Sequence, residues 1–130
     1  MRQNHPYLRA YMAGITVPTM FLLVVVTGFS ILHGVAAPWE QIIMFPMAVV
    51  PNLWGVWNVL HCRWPWTTIG VHGAILPLLL VPAGFALARA LEVPWISVTG
   101  AATVLPVGIV VYYLAWKYLV AFFNEVLGVA

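Results

Sequence analysis

Four stretches of this chain, residues 11–33, 39–61, 69–89 and 95–117, are apolar for more than 20 residues, and inside them ionised side chains occur only at or next to an end, at Glu40, Arg89 and Lys117. A bilayer core about 30 Å thick is crossed by about 20 apolar residues in helical form. Inside hydrocarbon every backbone donor and acceptor must find a partner within the protein, so an uninterrupted apolar run of this length specifies a spanning helix. The expectation is an all-α membrane protein, a four-transmembrane-helix up-down bundle forming a single integral membrane domain over residues 1–130.

Composition supports the same solvent. The 130 residues are 64% hydrophobic and 6% charged, against roughly 25% charged in a soluble domain, so five Lys or Arg and three Asp or Glu cannot clothe a water-exposed surface. The net charge of +2 is scattered without a basic cluster, which sets aside nucleic acid as a partner. Cys62, the single cysteine, excludes an internal disulfide and every multi-cysteine metal motif.

The connections at 34–38, 62–68 and 90–94 are short and carry breakers such as Gly34, Pro65 and Pro94. Sequential helices are then antiparallel neighbours. Arg2 and Arg9 before the first apolar run, and Gly34-Val35-Ala36 after it, give the outline of a signal peptide. The run is longer than an ordinary h-region, so a retained first helix is expected. Arg2, Arg9, Arg63 and Lys117 fall on one side of the four spans and only Arg89 on the other. That bias places both termini in the cytoplasm, in a membrane of the bacterial inner-membrane type. The segment 118–130 is too short to span again; it either continues the fourth helix or lies as a tail in the interface.

A shift of 56 residues superimposes Leu22, Leu23, Val25, Gly28, Phe29, Pro38 and Trp39 on Leu78, Leu79, Val81, Gly84, Phe85, Pro94 and Trp95. Two tandem helical hairpins, over about 16–66 and 72–122, would form a parallel, same-orientation repeat with its axis along the membrane normal. The Pro-Trp pairs suit helix starts at the headgroup boundary, and a paired outer gate is the competing reading. Pro18, Pro46, Pro51, Pro77, Pro82 and Pro106 fall inside the spans, where they signal irregular packing or a cavity.

The second span holds the most unusual local sequence. Asn52 lies near mid-membrane by residue count and must face protein or a cavity. Trp54, Asn58 and His61, spaced by four and three residues, share one helical face with Trp57 beside them. Asn52, Trp54, Trp57, Asn58 and His61 therefore form a candidate surface for an amphipathic ligand such as a lipid or quinone-like headgroup. The structural alternative is an aromatic belt with interhelical hydrogen bonds.

His61 ends the second span and His72 begins the third, so a hairpin would bring them to similar depth as a candidate haem or metal pair. His61 and Cys62 diverge by about 100° on a helix, and a closed zinc site would need His5 as well. No other catalytic pattern is present in the sequence: it has no Asp, and its three glutamates lie at span ends or in the tail. The expected function is non-catalytic. The protein would bind membrane lipid or a small apolar ligand, or join a larger membrane complex as a subunit or homo-oligomer. An oligomeric channel lined by Asn52 and Asn58 is the first alternative, and a haem or metal protein using His61 and His72 the second. No particular cofactor is implied.

Overall fold

The computed structural model describes residues 5–33, 48–90, 92 and 97–129. Among these every regular element is helical: α1 (Pro6–His33), α2 (Val50–Arg63), α3 (Ile69–Ala90), α4 (Val98–Leu114), a π-helical turn (Ala115–Val120) and α5 (Ala121–Val126). Three helical stretches are long and apolar enough to cross a membrane: Pro6–Leu32 with 27 residues, Ile69–Ala90 with 22 and Val98–Val126 with 29. At 1.5 Å per residue they measure about 40, 33 and 43 Å. The remaining expected span is described only from Ala48, and α2, with 14 residues, is about 21 Å long.

The helix ends differ from the expected spans for local reasons. α1 begins at Pro6 rather than Tyr11, because proline fits the first helical turn, where a backbone donor has no partner anyway. α4 begins at Val98, where Ser97 caps it by accepting a 3.0 Å hydrogen bond from the Gly100 N–H. No break follows Lys117. Helix continues through the π turn and α5 to a glycine cap at Gly128 (φ 64°), where Gly128 N–H donates to the Glu125 carbonyl (3.0 Å) and Val129 N–H to the Asn124 carbonyl (2.8 Å). These two bonds make a Schellman motif, which gives the last orphan carbonyls their partners.

The chain divides into two compact units, Met1–Pro65 with Phe122–Ala130, and Trp66–Ala121. In the first, α1 and α2 run antiparallel, with Ala10 opposite Asn58 and Gly14 opposite Gly55. Ala10, Ala13, Gly14 and Pro18 line one stripe of α1; Pro51, Trp54, Gly55 and Asn58 line one stripe of α2. Lipid tails are as apolar as leucine, so such helices associate through close backbone approach and interhelical hydrogen bonds. The two glycines provide the approach. A Cβ at Gly14 would lie 2.5 Å from the Trp54 carbonyl oxygen, and one at Gly55 would lie 2.6 Å from Ile15 Cγ2 and the Tyr11 ring.

In the second unit, α3 packs antiparallel to α4 and the π turn. Gly70 lies against Tyr113 and Lys117, Gly73 against Trp116, and Gly108 against Pro77. The buried core comes from His72, Leu76, Leu80, Trp116 and Val120, whereas α4 contributes no buried residue. Hydroxyls that would otherwise face lipid bond back to their own helix: Thr16 to the Met12 carbonyl (2.7 Å), Thr19 to Ile15 (2.6 Å) and Thr103 to Thr99 (2.8 Å). Of the repeated pairs, Pro38-Trp39 and Pro94-Trp95 lie outside the described residues, as does Pro46. A Cβ at Gly28 would meet nothing within 4 Å.

Candidate functional site

The helical spacing that aligns Trp54 with Asn58 turns both toward α1. Trp54 and Asn58 are buried, while Trp57 and His61 are half-buried at the sides of that face. Asn58 Nδ2 donates to the Ala10 carbonyl oxygen (2.7 Å) and to Asn124 Oδ1 (2.6 Å), and Asn58 Oδ1 accepts from Asn124 Nδ2 (3.0 Å). Both amide hydrogens of Asn58 and its carbonyl are thereby engaged. Asn58 and Asn124 are 0% and 1% exposed, so the reciprocal amide pair is sealed inside the first unit. Arg9 Nη1 reaches the Leu127 carbonyl oxygen at 3.5 Å, placing a cation at the α5 C-terminal cap, where the helix dipole favours it.

Asn52 sits differently. Its side chain is exposed; Oδ1 accepts from the Tyr11 hydroxyl, and Nδ2 donates to the Ala48 carbonyl oxygen at 2.7 Å. The five residues of the expected ligand surface thus separate into an enclosed part, Trp54 and Asn58, and an outward part led by Asn52. Two residues outside that surface, Asn124 and Tyr11, supply side-chain hydrogen-bond partners to it. Asn124 had one sequence signal, an amide in an apolar stretch four residues after Val120 and eight after Trp116. Tyr11 had none, because an aromatic residue near a span end is ordinary.

The two histidines of the candidate metal pair lie in different units, His61 in the first and His72 in the second. The His72 ring is 1% exposed and packs edge-on to Trp66 (5.4 Å between centroids, 71°) and at a tilt to Trp116 (6.0 Å, 47°). Trp116 in turn fills the space left by the missing side chain of Gly73. Cys62, just beyond the expected span, is half-buried. Among the described residues no three His, Cys, Asp or Glu side chains cluster closely enough to hold a metal ion.

Cationic side chains near the helix ends lie over aromatic rings. Arg63 is 5.3 Å from the Trp64 ring, Arg89 is 5.9 Å from Phe85, and Lys117 is 5.7 and 5.2 Å from Tyr113 and Tyr118. Such pairs suit a headgroup boundary, with the ring in the apolar layer and the charge snorkelling outward. No known family model, curated protein or solved structure significantly matches the chain.

Proposed function

We propose that this chain is a non-catalytic integral membrane protein of four spans that binds a lipid-like or small apolar molecule, or joins a larger membrane complex as a subunit or homo-oligomer. One observation carries the reading. The most deeply buried amides, Asn58 and Asn124, are satisfied by each other and by the Ala10 carbonyl, while α4 buries nothing and presents Val104, Val107, Val110 and Val111 outward. The enclosed polarity serves packing, and the outward surface has the chemistry of lipid tails or of another apolar helix. Gentle extraction followed by native mass spectrometry should find the protein with a retained lipid, an apolar small molecule, a second copy or another polypeptide. A bare monomer in every detergent tried would overturn the proposal.

Four crossings with both termini cytoplasmic belong to the same proposal, supported by the three long helices and by the placement of Arg2, Arg9, Arg63 and Lys117. On a Cys62→Ser background, Glu92→Cys should react with a membrane-impermeant maleimide in intact cells, and Val129→Cys only after permeabilisation. A chain that crosses three times, with α2 outside the bilayer, would reverse both results. The parallel repeat gains support from Gly14 and Gly70. They stand 56 residues apart, and each lies where its helix closely meets the second helix of its unit.

A further inference from the structure

Asn52 lies about 16 Å along α2 from its Arg63 end, which is close to half of a 30 Å hydrocarbon core. An exposed amide at that depth requires partners, because lipid tails provide none. A carboxamide has two N–H donors and an oxygen that accepts twice. Among the described residues, Asn52 uses one N–H on the Ala48 carbonyl and one lone pair on the Tyr11 hydroxyl. One N–H and one lone pair remain, beside the lone pairs of the Tyr11 oxygen. The surface continues apolar along both helices: Leu8, one turn before Tyr11, and Val56, one turn after Asn52, are 57% and 49% exposed. Arg9, the nearest cation in sequence, reaches Leu127.

We infer that Tyr11 and Asn52 form a recognition point for a neutral lipophile bearing a hydroxyl group, which both donates and accepts, and residing within the hydrocarbon layer. Its polar atoms would take the free N–H and the adjacent acceptors, and its apolar body would lie along Leu8 and Val56. A charged headgroup does not suit this depth. A quinol and a diacylglycerol, each with a hydroxyl that donates and accepts, share the required chemistry. The inference deepens the proposed function and rests on α2 crossing the bilayer.

The test uses full-length protein in phosphatidylcholine liposomes, irradiated with a diazirine-tagged isoprenoid benzoquinol kept in its reduced form and, separately, with a diazirine-tagged diacylglycerol. Crosslinks should fall on the peptides containing Leu8 and Val56 with at least one probe, and the probe that labels identifies the source. Tyr11→Phe keeps the ring against Gly55 and removes only the hydroxyl, and Asn52→Leu removes the amide. Each should reduce labelling about fivefold for every hydrogen bond to the probe that is lost. Circular dichroism checks that the variants remain folded, and Tyr11→Phe decides the matter if Asn52→Leu does not fold. Unchanged labelling in Tyr11→Phe, labelling confined to other peptides, or none with either probe overturns the inference. In each case a ligand or partner retained by the wild type in native mass spectrometry would leave the broader function standing.

Discussion

A Gly73→Ala variant should lose about 2–3 kcal/mol of stability, the upper part of the range for overpacking a close contact. The added Cβ would stand 2.1 Å from Trp116 Cγ and 2.4 Å from Trp116 Cβ. Carbon atoms settle at about 3.5–4.0 Å, so α3 and the π turn would have to part by about 1 Å or more. Trp116 is 0% exposed and its neighbour His72 1%, so neither ring has open space to enter. The pattern of rescue is specific. Trp116→Leu keeps the Cβ and therefore the clash, whereas Trp116→Gly removes every offending atom. The double variant Gly73→Ala/Trp116→Gly should be less destabilised than the sum of its single changes, as expected for residues in direct contact. Gly28→Ala is the control. Its Cβ meets nothing within 4 Å, so helix propensity alone applies and favours alanine by up to about 1 kcal/mol. Unfolding in mild detergent followed by circular dichroism measures all of these variants. Wild-type stability in Gly73→Ala would refute the packing described for α3.

The contrast between Gly73 and Gly28 shows which features the sequence makes legible. Apolar length determines where helices form, and α1, α3 and the Val98–Val126 helix appear where that length requires them. It does not determine which face meets which. Gly28 stands out in sequence because a Gly-Phe pair recurs, yet the glycines with no room for a Cβ are Gly14, Gly55, Gly70 and Gly73, which no short motif marks. The depth assigned to Asn52 called for it to face protein or a cavity, whereas its side chain is exposed and bonds Tyr11 and the Ala48 carbonyl. The spacing put Trp54 and Asn58 on one face, and both are buried. Their partners were not readable. Which residue of α1 lies opposite Asn58 depends on the register set by Gly14 against Gly55, a tertiary fact without periodic signature. Asn124 was hidden for a related reason: a polar residue beyond a full-length span reads as interfacial until the helix is seen to continue to its cap at Gly128.

Removing the amide of Asn58 should have an effect as large as that of overpacking Gly73, by the opposite route. Asn58→Leu deletes three hydrogen bonds and leaves the Asn124 amide enclosed without this partner. Interhelical hydrogen bonds in membranes average about 0.6 kcal/mol, with the strongest near 1.7. An orphaned buried polar group costs about 1–3 kcal/mol. A loss of about 3 kcal/mol is expected for Asn58→Leu, and about 2 for Asn124→Leu, in which Asn58 retains the Ala10 carbonyl. The double variant Asn58→Leu/Asn124→Leu should not lose their sum. With both amides gone no orphan remains on either side, and replacing both partners by apolar groups is close to neutral. A coupling of about 3 kcal/mol between the two positions follows, the upper end of the range for residues in contact. The double variant should then lose about 2 rather than about 5 kcal/mol, less than Asn58→Leu alone. Strict additivity in detergent unfolding would show that the amides do not act as a pair. Recovery of stability need not restore register. Two leucines pack in several ways where two facing amides accept few, and buried polar pairs in helical assemblies are known to fix register at some expense in stability. Backbone amides of residues 121–127 should therefore exchange with deuterium faster in the double leucine variant than in the wild type, even as its unfolding free energy returns toward the wild-type value. That combination would distinguish an amide pair retained for specificity from one retained for strength.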